Sequence, residues 1–157
     1  MPLRGCLIGC GYVSQFHLDA WTRQTRGRLT AVCDLDGNKA KAACRYGVCT
    51  AYTNAVEMLE CERPDFVEIC TRPESHLPLV RIAAEHGVHV LCQKPIAPSV
   101  DELREMIAVC ERAGVRFMVH ENFRWRRWNI RLKEELDAGR LGTPFRLCLV
   151  MHDQRCL

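Results

Sequence analysis

Residues Leu3–Ser14 read LRGCLIGCGYVS, and the rest of the chain is organised around them. An apolar run of Leu3, Cys6, Leu7 and Ile8 breaks into Gly9-Cys10-Gly11-Tyr12-Val13-Ser14, and a helix-compatible segment follows. Strand, glycine turn, helix is the order of a dinucleotide-binding fingerprint, here with glycine at two of its three positions. Gly9 permits the tight turn off the strand, and Gly11 lets backbone approach a pyrophosphate with no Cβ in the way. The third position needs a small residue for close helix–strand packing, and Ser14 meets that need without being glycine. The free amides at the start of the following helix, and its dipole, would then face the phosphates.

Outward from that turn the same unit recurs. Gln15–Arg26 reads as a helix closed by Gly27, and Arg28–Cys33 as a strand ending at Asp34. Asp36 can cap a helix through Ala40, Ala43 and Cys44 that Gly47 stops, before a short strand near Val48–Tyr52. Asn54 with Glu57, and Ser99 with Glu102, form capping boxes. Between them lie a strand at Phe66–Cys70, a helix at Leu77–His86, Gly87, and a strand at Val88–Cys92. Glu68 is a polar residue inside an otherwise apolar strand and has no evident partner. The helix after Ser99 carries Leu103, Met106, Ile107 and Cys110 at helical spacing, stops at Gly114, and leads to a strand at Val115–Val119.

Glycine suits the left-handed position just past a helix. Nearly all-apolar strands alternating with helices imply a parallel sheet covered on both faces. The expectation is an α/β fold, a doubly wound parallel sheet over residues 1–120. Residues 121–157 differ. Arg127–Ala138 reads as a helix stopped by Gly139, and Phe145–Met151 (FRLCLVM) as a strand with no partner following it. That pattern is expected of the first strand of a second, incomplete α+β domain.

The 157 residues are enough for one sizeable core, and 48% hydrophobic with 26% charged residues is ordinary for a globular protein. A net charge of +3 is too mild to imply a polyanionic partner. Arg124-Trp125-Arg126-Arg127-Trp128 interleaves basic and aromatic residues as nucleic-acid stacking sites do, but one short cluster against a balanced charge argues for no nucleic acid. No apolar run approaches membrane-spanning length, and Met1-Pro2-Leu3-Arg4 leads into a strand rather than a signal peptide, so the expected setting is cytoplasmic. Eleven cysteines without a CxxC pair do not read as a disulfide or metal framework. Cys6, Cys33, Cys70, Cys92 and Cys148 lie in or beside apolar strand-like runs, where a thiol behaves as a small hydrophobe. No metal site is expected.

Asp34 ends the second strand, where an acid can hydrogen-bond the adenosine ribose hydroxyls and repel a 2′-phosphate, favouring NAD over NADP. Lys39, if it reaches the same place, would soften that preference. A turn-forming aspartate is the plainer reading. Cys92-Gln93-Lys94-Pro95 and Thr71-Arg72-Pro73-Glu74-Ser75-His76 each follow a strand, on the side where open parallel sheets bind ligands. Lys94 could move a proton or orient a hydroxyl, or simply be solvated. Thr71 could touch the cofactor, whereas His76 reads more as a helix-start or core histidine.

Four stretches carry a resemblance: GCGYVSQFH from Gly9, TRPESH from Thr71, the run from Gly87 through CQKP, and ENFRW from Glu121. Together, in this order, they resemble the amino-terminal half of the Gfo/Idh/MocA family of NAD(P)-dependent oxidoreductases. The resemblance implies a Rossmann-type domain that binds NAD, with NADP possible. Its cofactor contacts would be Gly9, Gly11, Tyr12, Val13, Asp34, Thr71, His76, Gln93, Lys94, Pro95 and Asn122. It makes Lys94 catalytic and, with Arg124, substrate-facing, toward a small sugar or polyol-like molecule. The family pattern around this lysine is Glu-Lys-Pro, and Gln93 departs from it by removing a carboxylate beside Lys94. The family's second domain closes the substrate site, often mediates homo-oligomer formation, and supplies an aspartate and a histidine. His152-Asp153 comes too early in the order to be that pair. A hydride-transferring oxidoreductase is therefore implied, with this chain alone inactive. A non-catalytic NAD-binding regulatory module, or an NAD-using lyase or glycosidase, is the alternative.

Overall fold

The computed structural model describes residues 2–47, 50–148 and 150. Six strands form one sheet: β1 (Leu3–Ile8), β2 (Gly27–Cys33), β3 (Thr50–Tyr52), β4 (Phe66–Ile69), β5 (His89–Gln93) and β6 (Phe117–His120). Val48 and Cys49, expected to open β3, lie outside the described residues. The sheet order is β3-β2-β1-β4-β5-β6, and every pairing is parallel. Parallel strands require crossovers, and helices supply them: α1 (Ser14–Trp21), α2 (Gly37–Ala43), α3 (Ala55–Glu62), α4 (His76–Glu85) and α5 (Val100–Ala113). The strand order reverses between β1 and β4, which is the switch point of a doubly wound Rossmann sheet.

Side-chain alternation divides the core into two layers. Cys6, Ile8, Val67, Ile69, Val90 and Cys92 pack with α3, α4 and α5 residues such as Leu59, Val80 and Met106. Leu7, Leu29, Val32 and Phe66 pack on the other face with Leu18 of α1 and Ala43 of α2. The register sets Leu7 opposite Glu68, Glu68 opposite Leu91 and Leu91 opposite Met118, so these four share the α1 face. Gln93 and His120, each two residues further along its strand and paired with the other, share it too.

Helix boundaries follow local chemistry. The Asn54 carboxamide accepts from the amides of Val56 and Glu57, Ser99 Oγ from Glu102, and Asp36 from Asn38, so all three expected caps form. Gly47, Gly87 and Gly114 take left-handed conformations after their helices. Gly27 does not stop a helix. α1 ends at Trp21, and Gly27 is the first residue of β2, where an added Cβ would lie 3.3 Å from the Leu3 carbonyl oxygen. Gly5 has a role that periodicity does not show: a Cβ there would fall 2.1 Å from Phe66 Cζ. That ring stacks on Trp21 with centroids 5.2 Å apart. Gly5→Ala is expected to displace Phe66 and cost about 1–3 kcal/mol, read as a lowered urea midpoint.

The chain divides into two compact units, Met1–His120 and Glu121–Leu157. In the second, a short 3₁₀ turn at Phe123–Trp125 precedes α6 (Arg127–Asp137). Phe145, expected to open a strand, is 98% exposed, and residues 145–148 and 150 carry no regular structure. The remainder of that expected strand, and His152-Asp153, fall outside the described residues. Cys148 is exposed rather than buried. No helix among the described residues is long and apolar enough to cross a membrane.

Candidate functional site

The carboxyl ends of β1, β2 and β4 surround a cavity of about 680 Å³ lined by Gly9, Asp34, Leu35, Thr71, Arg72 and Ser75, among others. Gly9 leaves β1 with φ 96°, and an added Cβ would lie 2.9 Å from both the carbonyl carbon and oxygen of Cys70. Glycine suits the place: L side chains rarely adopt that conformation, and the Cys70 main chain just past β4 closes the space. Around Gly11, by contrast, a Cβ would meet nothing within 4 Å. The turn is therefore tight on the sheet side and open where a ligand would lie.

No side chain caps the amino terminus of α1, and of its leading amides that of Phe16 donates to the Val13 carbonyl over 3.2 Å. Ser14 is buried, and its Oγ donates to the Gly11 carbonyl over 2.6 Å, so the small third residue also ties the loop. Tyr12 and Val13 sit exposed at the start of the helix. A smaller cavity of about 390 Å³ holds Gly11 and Tyr12 together with Lys39 and Arg45.

Asp34 reaches the larger cavity and also braces the turn. Its Oδ2 accepts from the Cys10 amide over 2.7 Å, and its Oδ1 from the Asp36 amide over 2.9 Å. Each carboxylate oxygen keeps lone-pair capacity for a hydroxyl. Thr71 lines the same cavity and accepts from Ser75 Oγ. His76 corrects the expectation of a cofactor contact. It is fully buried, with Nδ1 2.9 Å from the Ile96 carbonyl and Nε2 3.1 Å from that of Thr71. It is a strut beneath the two loops and offers no surface to a ligand. Lys94 and Pro95 are exposed at the end of β5. Asn122 and Arg124 lie in the second unit, both exposed, with the Arg124 guanidinium over the Trp125 ring.

Glu68 is the main group that sequence reasoning left unassigned. Its carboxylate is 1% exposed, and Oε2 accepts from Trp21 Nε1 over 2.6 Å. Oε1 lies 2.6 Å from His17 Nδ1 and 2.9 Å from His120 Nδ1, the latter off the hydrogen-bonding direction. Burial works to raise the Glu68 carboxyl, but the close approach of His120 and the hydrogen bonds from His17 and Trp21 overcome it. The net result is a value lowered from 4.5 to about 2. Two histidines and a carboxylate can ligate a metal, yet contacts of 2.6 and 2.9 Å are hydrogen-bond separations. His17 Nε2 then meets Gln93 Nε2 at 2.8 Å, and the Lys94 amide donates to Gln93 Oε1 over 2.7 Å. A lone acid in an apolar strand was the signal for this group. Its partners emerge only from the register.

Burial pushes the Cys10 thiol up to about 12 and that of Cys33 to about 11, with Asp34 adding to both.

Residues 3–121 match the profile of the Gfo/Idh/MocA oxidoreductase family, NAD-binding Rossmann fold. The chain is 45% identical over 143 residues to a D-apiose dehydrogenase of Paraburkholderia graminis, covering 90% of this chain and 38% of that protein. It is 31% identical over 146 residues to the D-glucoside 3-dehydrogenase of Escherichia coli, covering 92% and 42%. An oxidoreductase from Agrobacterium radiobacter, solved in complex with NAD+, L-tartaric acid and magnesium, superposes with a TM-score of 0.89 at 37% identity. That match covers 92% of this chain and 43% of the other. The chain thus spans about two-fifths of the length of these relatives. With a glycine turn at the sheet's switch point and a family match across the whole first unit, the chain belongs to the Gfo/Idh/MocA oxidoreductases.

Proposed function

We propose that this chain is the cofactor-binding part of an NAD-dependent oxidoreductase acting on a sugar or polyol-like substrate. The observation that carries this reading is the cavity at the β1/β4 switch point, closed by Gly9 on one side and edged by Asp34 on the other. NAD would supply the hydride chemistry. Gly9 and Gly11 let the turn approach a pyrophosphate, and the first amides of α1, which no side chain caps, would face it. Asp34, already fixed by two backbone amides, presents its remaining lone pairs to ribose hydroxyls. Lys94 stands exposed at the end of β5, where an ammonium can orient a substrate hydroxyl or carbonyl and hold or release its proton. The two dehydrogenases similar to it by sequence act, by their names, on D-apiose and a D-glucoside, which favours a carbohydrate for this chain.

Titrating NADH and following its fluorescence tests the binding claim on this chain, and saturation is the expected result. No binding at millimolar NADH would remove the reading. Lys94→Ala is expected to hold NADH within about threefold of the parent, because the phosphate turn is untouched. Where hydride transfer to a sugar is measurable, its rate should fall by about 10²-fold or more. Equal losses of binding and turnover would make Lys94 structural.

A further inference from the structure

We infer that Glu68, His17 and Gln93 form a positioning relay that holds the backbone at Lys94, and that Glu68 makes an amide, rather than an acid, the fitting side chain at position 93. The role given to Lys94 rests on the proposed function, but the relay stands on geometry alone.

Donor and acceptor identities fix the network one link at a time. The Lys94 amide can only donate, so the Gln93 atom 2.7 Å from it is the carbonyl oxygen. That orientation turns the Gln93 NH₂ toward His17 Nε2, 2.8 Å away, which must therefore accept. A neutral imidazole that accepts at Nε2 carries its proton on Nδ1. Nδ1 lies 2.6 Å from Glu68 Oε1, a carboxylate that only accepts. The far oxygen of Glu68 is held by Trp21 Nε1, a group that only donates. Every link is thus complementary from Trp21 to Lys94 with no mobile proton required. The opposite amide orientation would set NH₂ against the Lys94 N–H. It would also set the carbonyl oxygen against Nε2, which would then need a second ring proton.

The members come from α1, β4 and the end of β5, and all lie on one face of the sheet. Glu68 and Gln93 are buried, and the His17 side chain is 11% exposed, so water competes weakly for these bonds. A carboxylate at position 93 would place acids at both ring nitrogens and draw a second proton onto His17. Exchanging the two groups, with the amide at position 68 and the carboxylate at position 93, would instead reverse the links through the ring. The amide would donate to Nδ1 and accept from Trp21, while Nε2–H would donate to the carboxylate.

Long-range proton–nitrogen spectra of the chain labelled with ¹⁵N-histidine, with amide exchange at Lys94, test this at neutral pH. The parent is expected to show His17 as the Nδ1–H tautomer. Gln93→Glu should show both nitrogens protonated. The double variant Glu68→Gln with Gln93→Glu should show Nε2–H. Lys94 amide exchange should quicken at least tenfold in Glu68→Gln and return to within about threefold of the parent in the double variant. An Nε2–H tautomer in the parent overturns the relay, even if every variant fails to fold. So does a double variant whose Lys94 exchange is no slower than that of Glu68→Gln. Neither readout involves NADH, so failure of the relay and failure of cofactor binding are separable.

Discussion

Gly9→Ala is expected to cost the chain about 3 kcal/mol or more and to abolish measurable NADH binding, whereas Gly11→Ala folds like the parent and loses only affinity. The two glycines sit two residues apart in one turn but face different surroundings. At Gly9, φ is 96°, and a methyl group would stand 2.8 Å from Thr71 Cγ2 and 2.9 Å from the backbone of Cys70. Backbone strain of about 1–3 kcal/mol adds to a comparable overpacking term of about 1–3 kcal/mol, because the neighbour is the Cys70 main chain just past β4 and cannot swing away as a side chain would. Relief would move the turn off β4 and with it the Cys10 amide that Asp34 holds. At Gly11 nothing lies within 4 Å of an added Cβ, so the fold has no objection. Under the proposed function the methyl group would stand in the path of the pyrophosphate, and affinity should fall about tenfold or more, the equivalent of about 1.4 kcal/mol. Urea midpoints and NADH titrations on the two variants decide it. Equal destabilisation by both, or undisturbed NADH affinity in Gly11→Ala, would contradict this account of the turn.

The glycine turn was readable because its signal is local: an apolar strand, two glycines and a helix start, all contained in Leu3–Ser14. The same locality made the helix–glycine–strand repeats and the three side-chain caps legible, and with them the doubly wound sheet. Gly27 misled because a glycine before a strand can serve either as a helix stop or as a close approach between strands. Only the Leu3 carbonyl 3.3 Å from its missing Cβ distinguishes the two. At Phe145 and Cys148 apolarity reports only what a residue could bury, and both side chains stand exposed.

Glu68 shows the other limit. Its partners His17 and Trp21 are 51 and 47 residues away along the chain, on a helix whose facing strand depends on the crossover. Gln93 is 76 residues from His17. Sequence alone shows the departure from Glu-Lys-Pro at Gln93 as the loss of a charge beside Lys94. In the folded chain a carboxylate is present on the same face of the sheet, one imidazole away.

That buried carboxylate makes the stability of the chain depend on acid in a way that Glu68→Gln should remove. In the folded state the Glu68 carboxyl is lowered from 4.5 to about 2: burial alone would raise it, but the nearby His120 and the hydrogen bonds from His17 and Trp21 outweigh burial. A lowered value means the folded chain binds the proton less readily than the unfolded one. Its stabilising contribution is therefore complete above about pH 5 and is lost as pH falls through 4.5 toward 2. The size of that loss is about 3 kcal/mol, since Glu68 is almost fully buried and solvent screens it little. Urea unfolding of parent and Glu68→Gln at about pH 7, 5, 4 and 3 isolates the effect, because every other carboxylate titrates in both proteins and cancels in the difference. The parent's advantage should shrink steadily as pH falls below about 5. An advantage that stays constant down to about pH 3 would mean that the folded chain tolerates a protonated Glu68 as well as a charged one. The hydrogen bonds from His17 and Trp21 would then not be reading its charge.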